Sequence, residues 1–523
     1  MTAHADAFLA SPPADLVGDD TRPLDGGDIR SHNPARPDET VWMGAPALKH
    51  VREAVGAARE ALPHWARAPM EKRIEVLRNY QQRLKDRADD FARLISLETG
   101  KALWDAKQEA GILAGKIDIT LDTASNSGIS RVTGFETPIS DTRTGVCSFR
   151  PHGVMAVVGP YNFPAHLPNG HIAPALAMGN TIVFKPSDKA PAVGQLLGET
   201  LRDALADCGM PRSIVNVIQG AAETASSLVG HPGVGGILFT GSWPVGRKIL
   251  EANLDNPGRI VALEMGGNNA AVVMDDADLR QAVIECARCA FISTGQRCTC
   301  TRRIIVHEAI ADRFLDALCN AARGATVGDP QGEPQPFLGP LIREDARTAV
   351  LSFVADAIDA GAEALVEPQT LEIDGCAGGH FISPGVLKVG RFTAAGEDPR
   401  RDAGCDLEVF GPVVRVTVVA NLDEAIEQVN ATRYGLAASI FTRSQANIDR
   451  FLFEAKAGCV NVNAGTAGAS SKLPFGGLGH SGNHRPAGAY SLDYCAYPVA
   501  SMVERGGAAI VPTGLPIDDA WFR

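Results

Sequence analysis

Between residues 153 and 267 the chain alternates short apolar runs with amphipathic segments of helix length. GVMAVVG is followed by PNGHIAPALAMG, NTIVFKPS by PAVGQLLGETLRDALADCG, IVNVIQG by AAETASSLVG and GGILFTGS by WPVGRKILEANL, and RIVALEMGG closes the series. Strands separated by helices at this spacing cannot be joined as hairpins, so they pair in parallel through crossover helices. Ligands of such sheets bind beyond the carboxyl ends of the strands. KPSD (185–188), FTGS (239–242) and LEMGG (263–267) fall there. A second alternating block, from TRRIIV (301–306) to GCVNVNAG (458–465), predicts a second α/β domain. TRTGVCSFRPHG and LDYCAYPVASMVER read as strands without helical partners, a kind that often completes a sheet with another subunit.

Earlier in the chain, VREAVGAAREALPHWA and KRIEVLRNYQQRLKDRADDFARLISLETG carry apolar residues three and four apart, which predicts helices with Gly100 as a stop. Residues 1–30, rich in Pro, Asp and Gly without periodicity, read as an acidic flexible arm. A chain of 523 residues calls for two or three domains. Its net charge of −12 argues against nucleic acid, which needs concentrated Lys and Arg. An anionic small substrate stays open, because one or two local arginines outweigh a distant negative surface. Eleven cysteines, an odd number spread over a large chain, suggest reduced thiols. The N-terminus lacks a basic signal region and no apolar run reaches membrane-spanning length, so a cytoplasmic protein without a membrane partner is expected.

The stretch most suggestive of chemistry is STGQRCTC (293–300). Cys286, Cys289, Cys298 and Cys300 could hold zinc or an iron–sulfur cluster. However, Cys286 and Cys289 lie on one apolar face of a predicted helix, where cysteine fills core, and the C-x-C spacing is awkward for a zinc knuckle; no metal is expected. The literal G-x-G-x-x-G at Gly477, Gly479 and Gly482 has no strand before it and no helix after it. A better phosphate site is GSWPVG, Gly241–Gly246, which follows an apolar strand and opens a helix; its plain alternative is an ordinary βα turn. Cys298 is either a nucleophile or an inert buried thiol, with Arg297 beside it as a cation able to lower its pKa. Glu264 at a strand end and Asn162 in GPYNFP add a carboxylate and an amide donor. A thiol, a carboxylate and an amide are the parts needed to acylate a cysteine and hydrolyse the thioester.

These residues resemble the aldehyde dehydrogenase superfamily over about residues 30 to 500. ETGK (98–101), PYNFP (160–164), KPSD, FTGSWPVG (239–246), LEMGG, GQRC (295–298), EVFGP (408–412) and PFGGLGHSG (474–482) occur in the family's order. Within it, YNFPAHLPNGH, GQRCTC, EPQPFLGPLI and SGNHRP are similar to the N-succinylglutamate 5-semialdehyde dehydrogenases. The resemblance implies an α/β fold with a Rossmann-type NAD domain (31–140 and 157–275), a catalytic domain (276–465) and oligomerisation segments (141–156 and 483–523) forming a small sheet. It implies Cys298 as nucleophile, Glu264 as hydrolytic base and Asn162 in the oxyanion site. Lys185, Ser187 and Asp188 would serve the adenosine ribose, the turn Gly241, Ser242, Trp243, Pro244, Val245 and Gly246 the pyrophosphate, and Glu408 with Phe410 the nicotinamide ribose. A carboxylate at Asp188 would repel the 2′-phosphate of NADP, which favours NAD.

The expected substrate is a small anionic aldehyde, with Arg297 and Arg485 as its carboxylate ligands and structural ion pairs as their alternative. His166 and His171 could contribute, though a lone histidine is more often structural. A homodimer or dimer of dimers is expected. Other semialdehydes, acyl transfer to CoA and a silent scaffold remain as alternatives. The N-terminal arm departs from the family pattern, as does the segment before Glu408, which is longer than expected and has Leu407 where an acid commonly stands.

Overall fold

In the structure, a computed structural model describing residues 5–124, 126–506 and 509–523, the alternating block forms a seven-stranded sheet. The strands stand in the order Ile260–Glu264, Gly236–Thr240, Val154–Val158, Thr181–Lys185, Val215–Val217, Ala14–Val17, Asp20–Pro23. The first five pair in parallel. Four of them are buried at every residue, as a sheet covered on both faces requires. The chain starts at Val154–Val158, winds outward to Val215–Val217, then returns to the opposite side of its starting strand. That reversal opens a crevice at the carboxyl ends of the strands. Lys185, the turn after Thr240 and Glu264 stand at those ends.

The N-terminal segment does not form the expected flexible arm. Ala14–Val17 is wholly buried, pairs antiparallel with Asp20–Pro23 and reaches Val217, extending the sheet. Its polar residues hid this because they are used inside. Asp15 shares a 2.7 Å hydrogen bond with His50 Nδ1 and accepts the Gln219 N–H at 2.6 Å, while Glu199 accepts the Ala10 N–H.

Four helices follow: Lys49–Arg67, Met70–Asp86, Ala88–Thr99 and Leu103–Thr120. The long amphipathic run breaks at Arg87, and Gly100 ends it in the left-handed region (φ 74°), as its lack of a Cβ allows. The second sheet runs Glu363–Val366, Gly385–Lys388, Val413–Val419, Thr301–His307, Asn269–Val273, Ala437–Phe441, Cys459–Val462. Its strand Asn269–Val273 precedes the expected domain start at 276. The two strands without helical partners find each other. Arg143–Pro151 pairs antiparallel with Ala496–Glu504, and Phe135–Pro138 adds a third strand. This small sheet leaves Phe135 and Met502 exposed. Among the described residues no helix is long and apolar enough to cross a membrane.

Candidate active site

The loop that carries Cys298 is built under strain. The helix Leu279–Phe291 ends in a turn where Ser293, Thr294 and Gly295 all adopt positive φ (53°, 55°, 70°). A Cβ on Gly295 would lie 2.0 Å from the Gly411 carbonyl oxygen, so only glycine is tolerated there. The two non-glycine residues cost on the order of 1–3 kcal/mol each, a cost that persists only where surrounding structure enforces it. Here Thr294 Oγ1 donates to the Gly339 carbonyl, and Asn269 Nδ2 donates to the carbonyls of Cys298 and Cys300, both at 2.8 Å. The result presents a half-buried Cys298 to a cavity of about 180 Å³ that Glu264 also lines.

Burial biases both groups toward their neutral forms. Burial pushes the Cys298 thiol up to about 12, and the carboxylates of Glu408 and Glu264 add to it, against a smaller opposing pull from Arg302. Burial likewise raises Glu264 well above the ordinary carboxyl range. Glu264 Oε2 has no hydrogen-bond partner among the described residues. A carboxylate of raised basicity is the better proton acceptor for a water in the same cavity.

Asn162 is buried beside this loop, and its Nδ2 donates to the Gln296 carbonyl at 2.9 Å, which leaves one amide hydrogen uncommitted. The carboxylate-binding expectation for the arginines meets a different geometry. Arg297 lines the cavity, but its Nη2 donates to Asp105 at 2.5 Å and its Nε to Ser293 Oγ at 2.8 Å. Its guanidinium therefore holds the turn to the helix Leu103–Thr120 and is not among the charges that act most strongly on Cys298. Arg485 is exposed, makes one bond to the His484 carbonyl and does not line the cavity. Cys286 belongs to the apolar core and Cys300 Sγ contacts the Ile292 carbonyl. Among the described residues no three His, Cys, Asp or Glu side chains converge as metal ligands.

The residues named for a dinucleotide gather at the crevice. Lys185 Nζ donates to the Pro186 and Gly220 carbonyls, both at 2.5 Å, and burial lowers its pKa to about 8. Ser187 Oγ accepts the Lys189 N–H, and half-buried Asp188 follows. Gly241 donates to the Glu264 carbonyl. Ser242 caps the helix Trp243–Glu251 without bonding it through its hydroxyl, so that hydroxyl and the Trp243 N–H stay available to an anion. Pro244 opens the helix, Val245 is exposed, Gly246 N–H bonds the Ser242 carbonyl, and Trp243 stacks on His480 at 4.1 Å. Glu408 accepts the Gly267 N–H at 2.9 Å; a Cβ on Gly266 would sit 1.9 Å from its carboxylate, which accounts for the paired glycines of LEMGG. Phe410 meets Tyr161 edge-on beside it. The acid missing at Leu407 stands one residue earlier. Asp406, buried, accepts from Asn268, Thr432 and Arg433 and fixes the segment. Asn269 and Asp105 carry no motif signal of their own; only the fold reveals what they hold.

The aldehyde dehydrogenase family matches residues 22–499. The chain belongs to the aldehyde dehydrogenase family. It is 42% identical over 496 residues to the N-succinylglutamate 5-semialdehyde dehydrogenase of Novosphingobium aromaticivorans, covering 94% of this chain and 99% of that one. It is 43% identical over 470 residues to the protein of that description from Caulobacter sp., covering 89% and 91%. Among solved aldehyde dehydrogenases, the NAD-dependent enzyme of Sinorhizobium meliloti superposes with a TM-score of 0.87 at 28% identity, covering 98% of each chain. Glyceraldehyde-3-phosphate dehydrogenase of Methanocaldococcus jannaschii, complexed with NADP, gives 0.82 at 29%, covering 92% of this chain and all of that one. The fold neighbours thus include both NAD and NADP proteins.

Proposed function

We propose that the protein oxidises N-succinyl-L-glutamate 5-semialdehyde to N-succinyl-L-glutamate, with NAD as hydride acceptor. The observation that carries the chemistry is the shared cavity of Cys298 and Glu264, each pushed toward its neutral form by burial. The substrate rests on the relatives of that description, which match nearly end to end.

The crevice has the chemistry a dinucleotide needs: the free Ser242 hydroxyl and helix N-terminus for the pyrophosphate, Lys185 and Asp188 for the adenosine ribose, Glu408 and Phe410 for the nicotinamide ribose. Bound there, the dinucleotide supplies the hydride acceptor. The half-buried carboxylate of Asp188 supports NAD over NADP by repelling a 2′-phosphate.

Cys298 is a thiol at rest, so its attack on the aldehyde carbon as a thiolate first requires loss of its proton to solvent. The oxyanion of the thiohemiacetal is received by the second Asn162 amide hydrogen and the Cys298 backbone N–H. Once the acyl group is a thioester on Cys298, Glu264 takes a proton from the hydrolytic water. Activity falls as pH drops through the raised Glu264 value, because only the carboxylate accepts protons. The small antiparallel sheet supports assembly as a homodimer or dimer of dimers, and eleven free cysteines support a reducing, cytoplasmic setting.

The test compares kcat/KM for N-succinylglutamate semialdehyde, succinate semialdehyde and glutamate 5-semialdehyde, with NAD and with NADP. The succinylated aldehyde with NAD should lead, since binding of its remote succinyl group is expressed in kcat/KM. Equal or reversed ranking would move the substrate elsewhere.

A further inference from the structure

The helix Leu103–Thr120 turns one face toward the cavity. At 3.6 residues per turn, Asp105, Glu109 and Lys116 fall on nearly the same line along it. Two of these side chains are spoken for. Asp105 holds Arg297 at 2.5 Å, and Glu109 holds Lys101 at 2.6 Å, so both neighbouring cations are neutralised by carboxylates of this helix. Lys116 is different. It is buried and lines the cavity with Cys298 and Glu264, and its ammonium donates only to neutral groups, the Gly488 carbonyl at 2.7 Å and Ser491 Oγ at 3.3 Å. Among the described residues no carboxylate pairs with it. The nearby Cys495 thiol is itself pushed up by burial and carries no compensating charge.

We propose that Lys116 recognises a carboxylate of the substrate and that this lysine, rather than Arg297 or Arg485, makes the pocket select an anionic aldehyde. A buried ammonium with one proton uncommitted and no counter-ion is a costly arrangement for a fold and a useful one for an incoming anion. The rest of the wall agrees. His166 and His171 line the same cavity, and burial together with Lys116 lowers both to about 3, so they are neutral hydrogen-bonding groups and Lys116 supplies the charge. His166 Nδ1 is a buried atom without a partner, available to the same ligand. His171 is committed to Tyr494 and Thr240. Burial depresses Lys116 itself to about 8, which still leaves it mostly charged at neutral pH.

The proposal rests on the substrate reading above, and the test separates the two. Wild type, Lys116→Gln and Lys116→Met are compared by kcat/KM on N-succinylglutamate semialdehyde and on propanal, a neutral aldehyde. Wild type should prefer the succinylated substrate, and both variants should lose about 100-fold on it, the scale for truncating one partner of a buried charge pair, with propanal turnover nearly unchanged. Should the Met variant not fold, the Gln variant, which keeps a donor toward Gly488 and Ser491, decides alone. Lys116→Arg should retain the preference. Two analogues, one lacking the α-carboxylate and one lacking the succinyl carboxylate, identify the partner: the variants should lose nothing further on the analogue whose missing group Lys116 binds. Equal loss on both aldehydes would make Lys116 a tether between helix and C-terminal turn and overturn the proposal. A wild type indifferent between the two aldehydes would overturn the substrate reading and the proposal with it.

Discussion

On the side of the cavity proposed for the dinucleotide, the groups offered to a ligand come from strand ends and the turns that follow them: Lys185 at the end of Thr181–Lys185, Ser242 after Gly236–Thr240, Glu264 at the end of Ile260–Glu264. On the substrate side the corresponding groups, Lys116, His166 and His171, come from two helices, Leu103–Thr120 and His166–Ala177. Thr181–Lys185 and Gly236–Thr240 are paired on both sides, and the edge strand Ile260–Glu264 is bridged to Gly482 at its last residue, so the chemistry these ends present is rigid. A helix face can exchange one side chain for another while the backbone stays in place. The contrast is a division of labour, with the groups proposed for the dinucleotide and Glu264 anchored at the sheet and substrate choice carried by helix side chains.

Substitutions on the two sides should therefore fail in different ways. The largest effect is expected for Cys298→Ala, which should lower turnover by at least about 10⁴-fold, in the range for removing a catalytic nucleophile. A fluorescence titration should find dinucleotide binding unchanged; retained oxidation would remove Cys298 from the reaction. Asn162→Ala should lower kcat by about 10²- to 10³-fold with little change in KM, the pattern for a donor used only as charge develops. A change confined to KM would assign Asn162 to binding. Asp188→Ser should reduce the preference for NAD over NADP by about tenfold, on the scale of a removed like-charge contact, while leaving the ranking of aldehydes intact. A shift in aldehyde ranking would break the division between the two walls.

The smallest effect concerns stability. Lys116 has a folded-state value of about 8 against lysine's ordinary 10.5. Its contribution is therefore present above the unfolded value and is lost as pH falls through the folded one. Melting temperatures of wild type and Lys116→Met should diverge as pH is lowered from 10.5 to 8, in the variant's favour by a few degrees at most. A variant less stable at neutral pH than at high pH, relative to wild type, would mean that the lysine is a structural tether.

The residues proposed for the dinucleotide could be singled out in the sequence because their motifs are contiguous, a strand end and the turn after it within about six residues, as in KPSD and GSWPVG. The substrate side could not, because Lys116 is one more charged residue in an amphipathic segment and its neighbours Gly488 and Ser491 lie over 370 positions away. Arg297 misled for a related reason. Sequence adjacency to Cys298 says nothing of direction, and the left-handed turn sends the arginine to Asp105. The N-terminal hairpin was hidden by composition: Asp15 looks solvated in sequence, whereas the fold buries it against His50 and the Gln219 N–H.

If Cys298 carries the acyl group and Glu264 frees it, the two roles separate in the intact mass of Glu264→Gln after brief incubation with N-succinylglutamate semialdehyde and NAD, followed by peptide mapping. The expected result is a burst of NADH matching the enzyme concentration, and an N-succinylglutamyl thioester on the peptide containing Cys298. A burst without an adduct, an adduct on Cys300 instead, or undiminished steady turnover would contradict it.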